Sequence, residues 1–265
     1  VKIALMDSGI GLLPAAAAVR RLRPDAELVL SSDPDGVPWG PRTTEDITAH
    51  ALATARAAAA LEPDALVVAC NTASVHALAA LRAELEPALP VIGTVPAIKP
   101  AAAAGGAVAI WATPATTGSP YQRRLIADFG GAAQVTEVPC PGLADAVQHA
   151  DGDAVDAAVA AAAALTPDDV SAVVLGCTHY ELVAERIRAA VQTPARPARL
   201  PSVRLHGSAG AVAAQTLRRL GVSPAPSATP STALDVLLSG RPGPLPAAAL
   251  AYAEGRLLAA AAPAG

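Results

Sequence analysis

Cys70 and Cys177 are the residues best placed to do chemistry. Cys70 stands in Val67-Val68-Ala69-Cys70-Asn71-Thr72-Ala73-Ser74, and Cys177 in Val173-Val174-Leu175-Gly176-Cys177-Thr178-His179-Tyr180. In each, a short apolar run that reads as a buried strand stops at the thiol, and a polar turn opens a helix. A helix N-terminus favours the thiolate through its dipole and its unsatisfied N–H groups. The same N–H groups, with Asn71, Thr72 and Thr178, suit a carboxylate. Two thiols presented by one device, far apart in the chain, suggest a site with a cysteine on each side. Such a pair suits removal of a proton from one face of a carbon and delivery to the other. A single cysteine is more often a small buried hydrophobe than a catalyst. Cys140, followed by Pro141 with no polar escort, reads as that kind. His179 is placed to tune or protonate the second thiol.

Two further segments carry polar groups at strand ends. Asp7-Ser8-Gly9 follows the run Lys2–Met6, with Gly11 close behind. It reads either as an acid and a hydroxyl facing a ligand or as a helix N-cap. The loop from Asp33 through Pro38-Trp39-Gly40 to Pro41 reads either as a rigid turn or as a lid whose backbone N–H groups line a site. No glycine spacing matches a dinucleotide fingerprint or a phosphate-binding loop. The histidines show no zinc-like spacing with cysteine, so no metal is expected. The only lysines are Lys2 and Lys99. Neither is placed to hold pyridoxal phosphate, so carbon-acid chemistry here is expected to need no cofactor.

The composition narrows the class. A net charge of −4 gives no support for a nucleic-acid surface. No apolar run is long enough, without charge, proline or glycine, to read as a membrane span. The N-terminus leads straight into a strand, unlike a signal peptide, and three cysteines make no disulfide framework. The expectation is a soluble, cytoplasmic protein.

The elements that must position these groups alternate along the chain. Strands are expected at Lys2–Met6, Glu27–Ser31, Ala65–Ala69, Val91–Gly93, Ala107–Trp111, Gln134–Val138, Ala172–Leu175 and Val203–Leu205. Helices fall between them, among them Thr43–Leu61, Ser74–Glu86, Ser119–Phe129 and Glu181–Val191. This is the pattern of an α/β protein with mostly parallel sheets flanked by helices. Four strands form a first sheet ending near Pro96–Pro100, and four a second ending near Pro194–Pro201. The tail holds a helix at Ala209–Leu220, a strand near Ala233–Leu238 and a last helix from about Leu245, and is expected to return to the first unit. The expected domains are residues 1–95 plus 205–265, and residues 96–204. Asp7, Cys70, Thr113 and Cys177 all fall at carboxyl ends of strands, where open α/β sheets bind ligands, so one cleft between the units would collect them.

With these motifs in hand, the chain resembles the glutamate racemases of the cofactor-independent aspartate/glutamate racemase family. The resemblance rests on Asp7-Ser8-Gly9-Ile10-Gly11, Asp33…Pro38-Trp39-Gly40, Ala69-Cys70-Asn71-Thr72-Ala73-Ser74, Thr113-Pro114-Ala115-Thr116 with Ser119 and Tyr121, and Leu175-Gly176-Cys177-Thr178-His179-Tyr180. It implies interconversion of L- and D-glutamate for peptidoglycan, with Cys70 and Cys177 on opposite faces of the α-carbon. Asp7 and His179 would assist the thiols. Asp7, Ser8, Trp39, Gly40, Asn71, Thr72, Thr113, Thr116 and Thr178 would hold the substrate. It also implies a homodimer. Aspartate or a hydantoin as substrate, and a protein-binding role such as gyrase inhibition, stand as alternatives. Five positions depart from the family pattern: Leu12 for glycine, Trp39 for tyrosine, Gln148 for glutamate, Glu181 for proline and Gly207 for aspartate.

Overall fold

The structure, a computed structural model, describes residues 1–192 and 202–261. The chain divides into two compact units, Val1–Val95 with Ala209–Gly265, and Pro96–Ser208. The boundary expected near Pro194–Pro201 lies outside the described residues.

The first unit opens with β1 (Lys2–Asp7), α1 (Leu13–Leu22), β2 (Glu27–Ser32), α2 (Thr44–Ala59), β3 (Ala65–Val68), α3 (Asn71–His76), α4 (Leu78–Leu85) and β4 (Val91–Gly93). β1 lies at the centre of the sheet, parallel to β2 on one side and β3 on the other. Ile3 to Met6 and Ala65 to Val68 are fully buried, as expected of strands covered on both faces. The second unit runs α5 (Ile98–Ala102), β5 (Ala107–Ala112), α6 (Pro120–Phe129), β6 (Gln134–Pro139), α7 (Leu143–Gln148), α8 (Gly152–Ala164), β7 (Ala172–Leu175), α9 (Ala184–Val191) and β8 (Arg204–His206). Its four strands are all parallel, in the order β6-β5-β7-β8. The chain then returns to the first unit with α10 (Ala209–Arg219), β9 (Leu234–Leu238), β10 (Arg241–Pro242) and α11 (Ala253–Ala261).

Four local expectations change. The first sheet has six strands, because β9 adds parallel to β2 and β10 turns back antiparallel on β9. The buried Arg20 helps to seat this tail, its guanidinium donating to the carbonyls of Pro24, Ala26, Ser231 and Ala233. The helix expected over Ser74–Glu86 starts earlier and breaks at Ala77, where Thr48 Oγ1 donates to the carbonyl of His76 and Thr44 Oγ1 meets the His76 ring. The helix expected from Glu181 begins instead as a 3₁₀ segment, Thr178–Val183, and becomes α-helical only at Ala184. The last helix is likewise split, into a 3₁₀ turn at Ala247–Ala251 and α11.

Candidate active site

The first cluster forms at the carboxyl ends of β1 and β3. Their register pairs Met6 with Val68, and the Ala69 N–H donates to the Met6 carbonyl, so Asp7 and Cys70 emerge side by side. Cys70 is the N-cap of α3, and its sulfur accepts from the Ala73 N–H at 3.5 Å. Asn71 is buried at the start of the helix and Thr72 is half-buried beside it. Ser74 ties the turn down: its hydroxyl donates to the Val68 carbonyl and accepts from the Thr94 N–H.

Asp7 closes β1 and is no helix cap; Gly9 takes that position for the short 3₁₀ turn at Ile10–Leu12. Asp7 Oδ1 accepts from the Ser8 N–H at 2.7 Å, with the Ser8 hydroxyl at 3.4 Å. Burial pushes its carboxyl up to about 7, against the opposing pull of hydrogen bonds to the Cys70 thiol and to Ser8. Such an acid changes charge near neutrality and can exchange a proton with the adjacent sulfur.

The cost of ionising Asp7 should appear in stability. A buried acid raised from its ordinary 3.8 to about 7 binds its proton more tightly folded than unfolded. Its contribution is therefore intact below pH 4 and lost as pH rises through 7. Asp7→Asn should stabilise the fold at pH 8 by up to about 4 kcal/mol and by little at pH 4. Denaturant unfolding at both values measures this; a destabilised variant at pH 8 would contradict it.

The second cluster forms at the carboxyl ends of β5 and β7. Trp111 pairs with Leu175, and the Gly176 N–H donates to the Trp111 carbonyl at 2.7 Å. A Cβ at Gly176 would stand 2.6 Å from that oxygen, so only glycine allows the approach that launches Cys177. Cys177 is half-buried and caps a 3₁₀ turn through its backbone position alone, with no side-chain cap bond. The α-helical N-terminus expected there is absent, and with it much of the dipole argument for that thiol.

His179 faces the Cys177 thiol instead. Its Nδ1 lies 3.9 Å from Cys177 Sγ, and its Nε2 lies 3.0 Å from Gln148 Oε1 on α7. An amide oxygen only accepts, so Nε2 carries the hydrogen and Nδ1 faces the thiol as an acceptor. Burial lowers the ring to about 4, so His179 is neutral around pH 7. Thr178 is buried next to Cys177. Thr113 and Thr116 share one turn beyond β5, their hydroxyls 3.2 Å apart. Cys140 is buried, donates to the Val138 carbonyl, and is pushed up to about 12 by burial, which leaves an inert thiol. Among the described residues no group of three His, Cys, Asp or Glu side chains is placed to hold a metal, and no helix is long and apolar enough to cross a membrane.

The loop after β2 is a packed structure. Trp39 is fully buried in the core with Met6, Val29 and Ile47. Its indole N–H donates to Asp33 Oδ2 at 3.0 Å. The same oxygen meets His50 Nδ1 on α2 at 2.7 Å, and the Ser239 hydroxyl donates to Asp33 Oδ1 at 2.9 Å. Gly40, half-buried, has open space around its α-carbon. Sequence reasoning missed His50 and Ser239, because their link to Asp33 exists only once α2 and the tail strand are in place.

The match to a known family covers most of this framework. Residues 13–216 fit the Asp/Glu/Hydantoin racemase family, and the chain belongs to it. It is accordingly an amino-acid racemase, an isomerase. A glutamate racemase of Roseiflexus sp. (strain RS-1) is 38% identical over 192 residues, which are 71% of this chain and 70% of that one. A glutamate racemase of Sphingopyxis alaskensis is 37% identical over 197 residues, 71% and 73% of the two chains. Among solved structures, Escherichia coli glutamate racemase in complex with L-glutamate and an activator, UDP-MurNAc-ala, superposes with a TM-score of 0.78 at 27% identity, over 98% of this chain and 95% of that one.

Proposed function

We propose that this chain interconverts L- and D-glutamate without a cofactor, by proton transfer between two thiols. The observation that supports this most is that each strand-end thiol has its own ionisable neighbour, Asp7 for Cys70 and His179 for Cys177. The Cys70 thiolate takes the α-proton from one enantiomer and becomes a thiol. The Cys177 thiol delivers its proton to the opposite face of the carbanion and becomes a thiolate. The reverse direction exchanges the roles. Charge on the protein is conserved through the transfer, and the thiols are reset afterwards when Cys70 passes its proton to Asp7 or solvent and the Cys177 thiolate takes one from solvent. The α-carbon is a weak acid, so the carbanion needs fixed donors in a dry site. Ser8, Asn71, Thr72, Thr113, Thr116 and Thr178 supply hydroxyls and amides for the carboxylates and amine. From the loop after β2 the backbone at Gly40 is the available group, since the Trp39 indole is committed to Asp33.

The relatives' names point to glutamate, and the product would serve peptidoglycan synthesis in the cytoplasm, from a homodimer. Leu12 and Trp39 are the departures that would favour aspartate or a hydantoin. Both are buried in the first unit, which leaves glutamate the better reading. The test is loss of optical rotation with L-glutamate, D-glutamate, aspartate and a hydantoin, alongside α-deuterium uptake from D2O. Glutamate should be turned over fastest, with one deuterium gained per inversion. Absence of exchange with either enantiomer of glutamate would overturn the proposal.

A further inference from the structure

The turn that carries Cys177 is held at three consecutive residues by three different elements. His179 reaches Gln148 on α7. Tyr180, fully buried, donates its hydroxyl to the Cys140 carbonyl just beyond β6 at 3.4 Å. Glu181 Oε1 accepts from the Ser208 N–H at 2.7 Å and from the Ser208 hydroxyl at 2.9 Å, just past β8. A 3₁₀ turn, with three residues per revolution, sends successive side chains in three directions and so permits this fixation. The Glu181 carboxylate is also where a side chain on residue 207 would be. A Cβ built at Gly207 would lie 2.3 Å from Glu181 Oε2 and 2.5 Å from Glu181 Cδ, and its three nearest neighbours all belong to Glu181. Gly207 is not held in a left-handed conformation, so its lack of a side chain is explained by this occupancy and not by backbone strain.

The structure assigns Glu181 the role of a positioning residue that locks the Cys177–His179 turn to Ser208, in space made available by Gly207. Residues 181 and 207 thus act as one pair: the carboxylate that meets Ser208 arrives from the turn, through the space a side chain on residue 207 would take. The charged hydrogen bonds to the Ser208 N–H and hydroxyl are stronger than neutral ones and restrain the sulfur's position through the turn. The inference rests on the proposed two-thiol function for its kinetic readout only.

The test compares Glu181→Ala, Glu181→Gln, Gly207→Ala and the double variant Glu181→Ala/Gly207→Asp in glutamate racemisation. Misplacing the thiol should lower kcat about tenfold in Glu181→Ala with KM changed less than about twofold, the split that a positioning role requires. Glu181→Gln keeps an acceptor oxygen and should stay within about threefold of the parent. Gly207→Ala should reproduce the Glu181→Ala defect by displacing the carboxylate. The double variant should recover at least about threefold over Glu181→Ala, a non-additivity that unrelated sites do not show. Iodoacetamide alkylation supplies a readout independent of turnover: the Cys177 rate should rise in Gly207→Ala while the Cys70 rate holds. Parent-like kcat and alkylation in Gly207→Ala, or further loss in the double variant, would overturn the inference. If the parent fails to racemise glutamate, the proposed function falls and the alkylation rates still decide this one.

Discussion

Alanine at either Cys70 or Cys177 abolishes racemisation, with a loss of at least about 10³-fold in kcat and a folded protein in both cases. A base or acid in the transition state contributes about 10²–10⁴-fold, and a two-faced transfer has no spare group on either side. Asp7 cannot stand in for Cys70: it is held at the end of β1 by the Ser8 N–H, one strand away from the Cys70 position. His179 cannot stand in for Cys177, because a ring lowered to about 4 is too weak a base to hold a carbon-acid proton. Both variants should stay folded: alanine at a half-buried 177 removes one sulfur and no ladder hydrogen bond, and alanine at 70 removes the cap on the Ala73 N–H, a cost of about 1 kcal/mol. Polarimetry with each enantiomer and thermal unfolding measure the two sides of this prediction. Either variant retaining more than a few per cent of parent turnover would remove that thiol from the reaction.

The second large effect is expected at Gln148. With an amide against Nε2 and burial holding its titration down at about 4, His179 stays neutral at pH 7 and does not pair with a Cys177 thiolate as an imidazolium. Gln148→Glu places a carboxylate 3.0 Å from Nε2. An adjacent opposite charge stabilises the protonated ring, and its titration should rise by at least about one pH unit. Three readouts follow. The acid limb of the kcat profile moves upward, and the Cys177 thiolate fraction at pH 7, read by absorbance at 240 nm, increases several-fold. Stability changes in a defined window: in the parent, the unfolded chain binds a proton near pH 6.5 that the buried ring refuses until about 4. The parent therefore loses up to about 3 kcal/mol as pH falls from 6.5 through 4, and Gln148→Glu should lose less. An unchanged pH profile and an unchanged thiolate absorbance would mean that Gln148 does not set the charge of His179.

Much of this architecture is written in short-range pattern. Ala65–Val68 and Ala172–Leu175 are continuous apolar runs, and such runs in an α/β alternation become buried parallel strands. Once they are parallel, the rule that ligands sit beyond strand carboxyl ends brings Asp7 to Cys70 and Thr113 to the Cys177 end of its sheet. Helix boundaries were harder to read because alanine dominates the helices. A residue that is neither strongly apolar nor polar flattens the 3.6-residue period, and so the break at Ala77 leaves no trace in it. The 3₁₀ start at Thr178 holds no alanine and goes instead with the distant contacts of His179, Tyr180 and Glu181. The rest depends on pairs distant in sequence. The contacts of His179 with Gln148, Asp33 with His50 and Ser239, and Glu181 with Ser208 each need two elements to be docked first. Trp39 illustrates the gap most clearly. Its place in a motif puts it among the residues expected to hold the substrate, while the burial of its ring depends on how the Met6, Val29 and Ile47 surfaces meet.

The three thiols also form a graded set of chemical reporters. Cys177 is half-buried, Cys70 is 6% exposed, and Cys140 is 1% exposed with its thiol held protonated by burial. An alkylating reagent applied to the native protein should therefore be consumed in the order Cys177, Cys70, Cys140. Modification of the first two should extinguish turnover, and the third should react only on denaturation. Intact mass after timed labelling would show whether the protein is folded and what fraction of its sites is competent, on one sample and without any substrate.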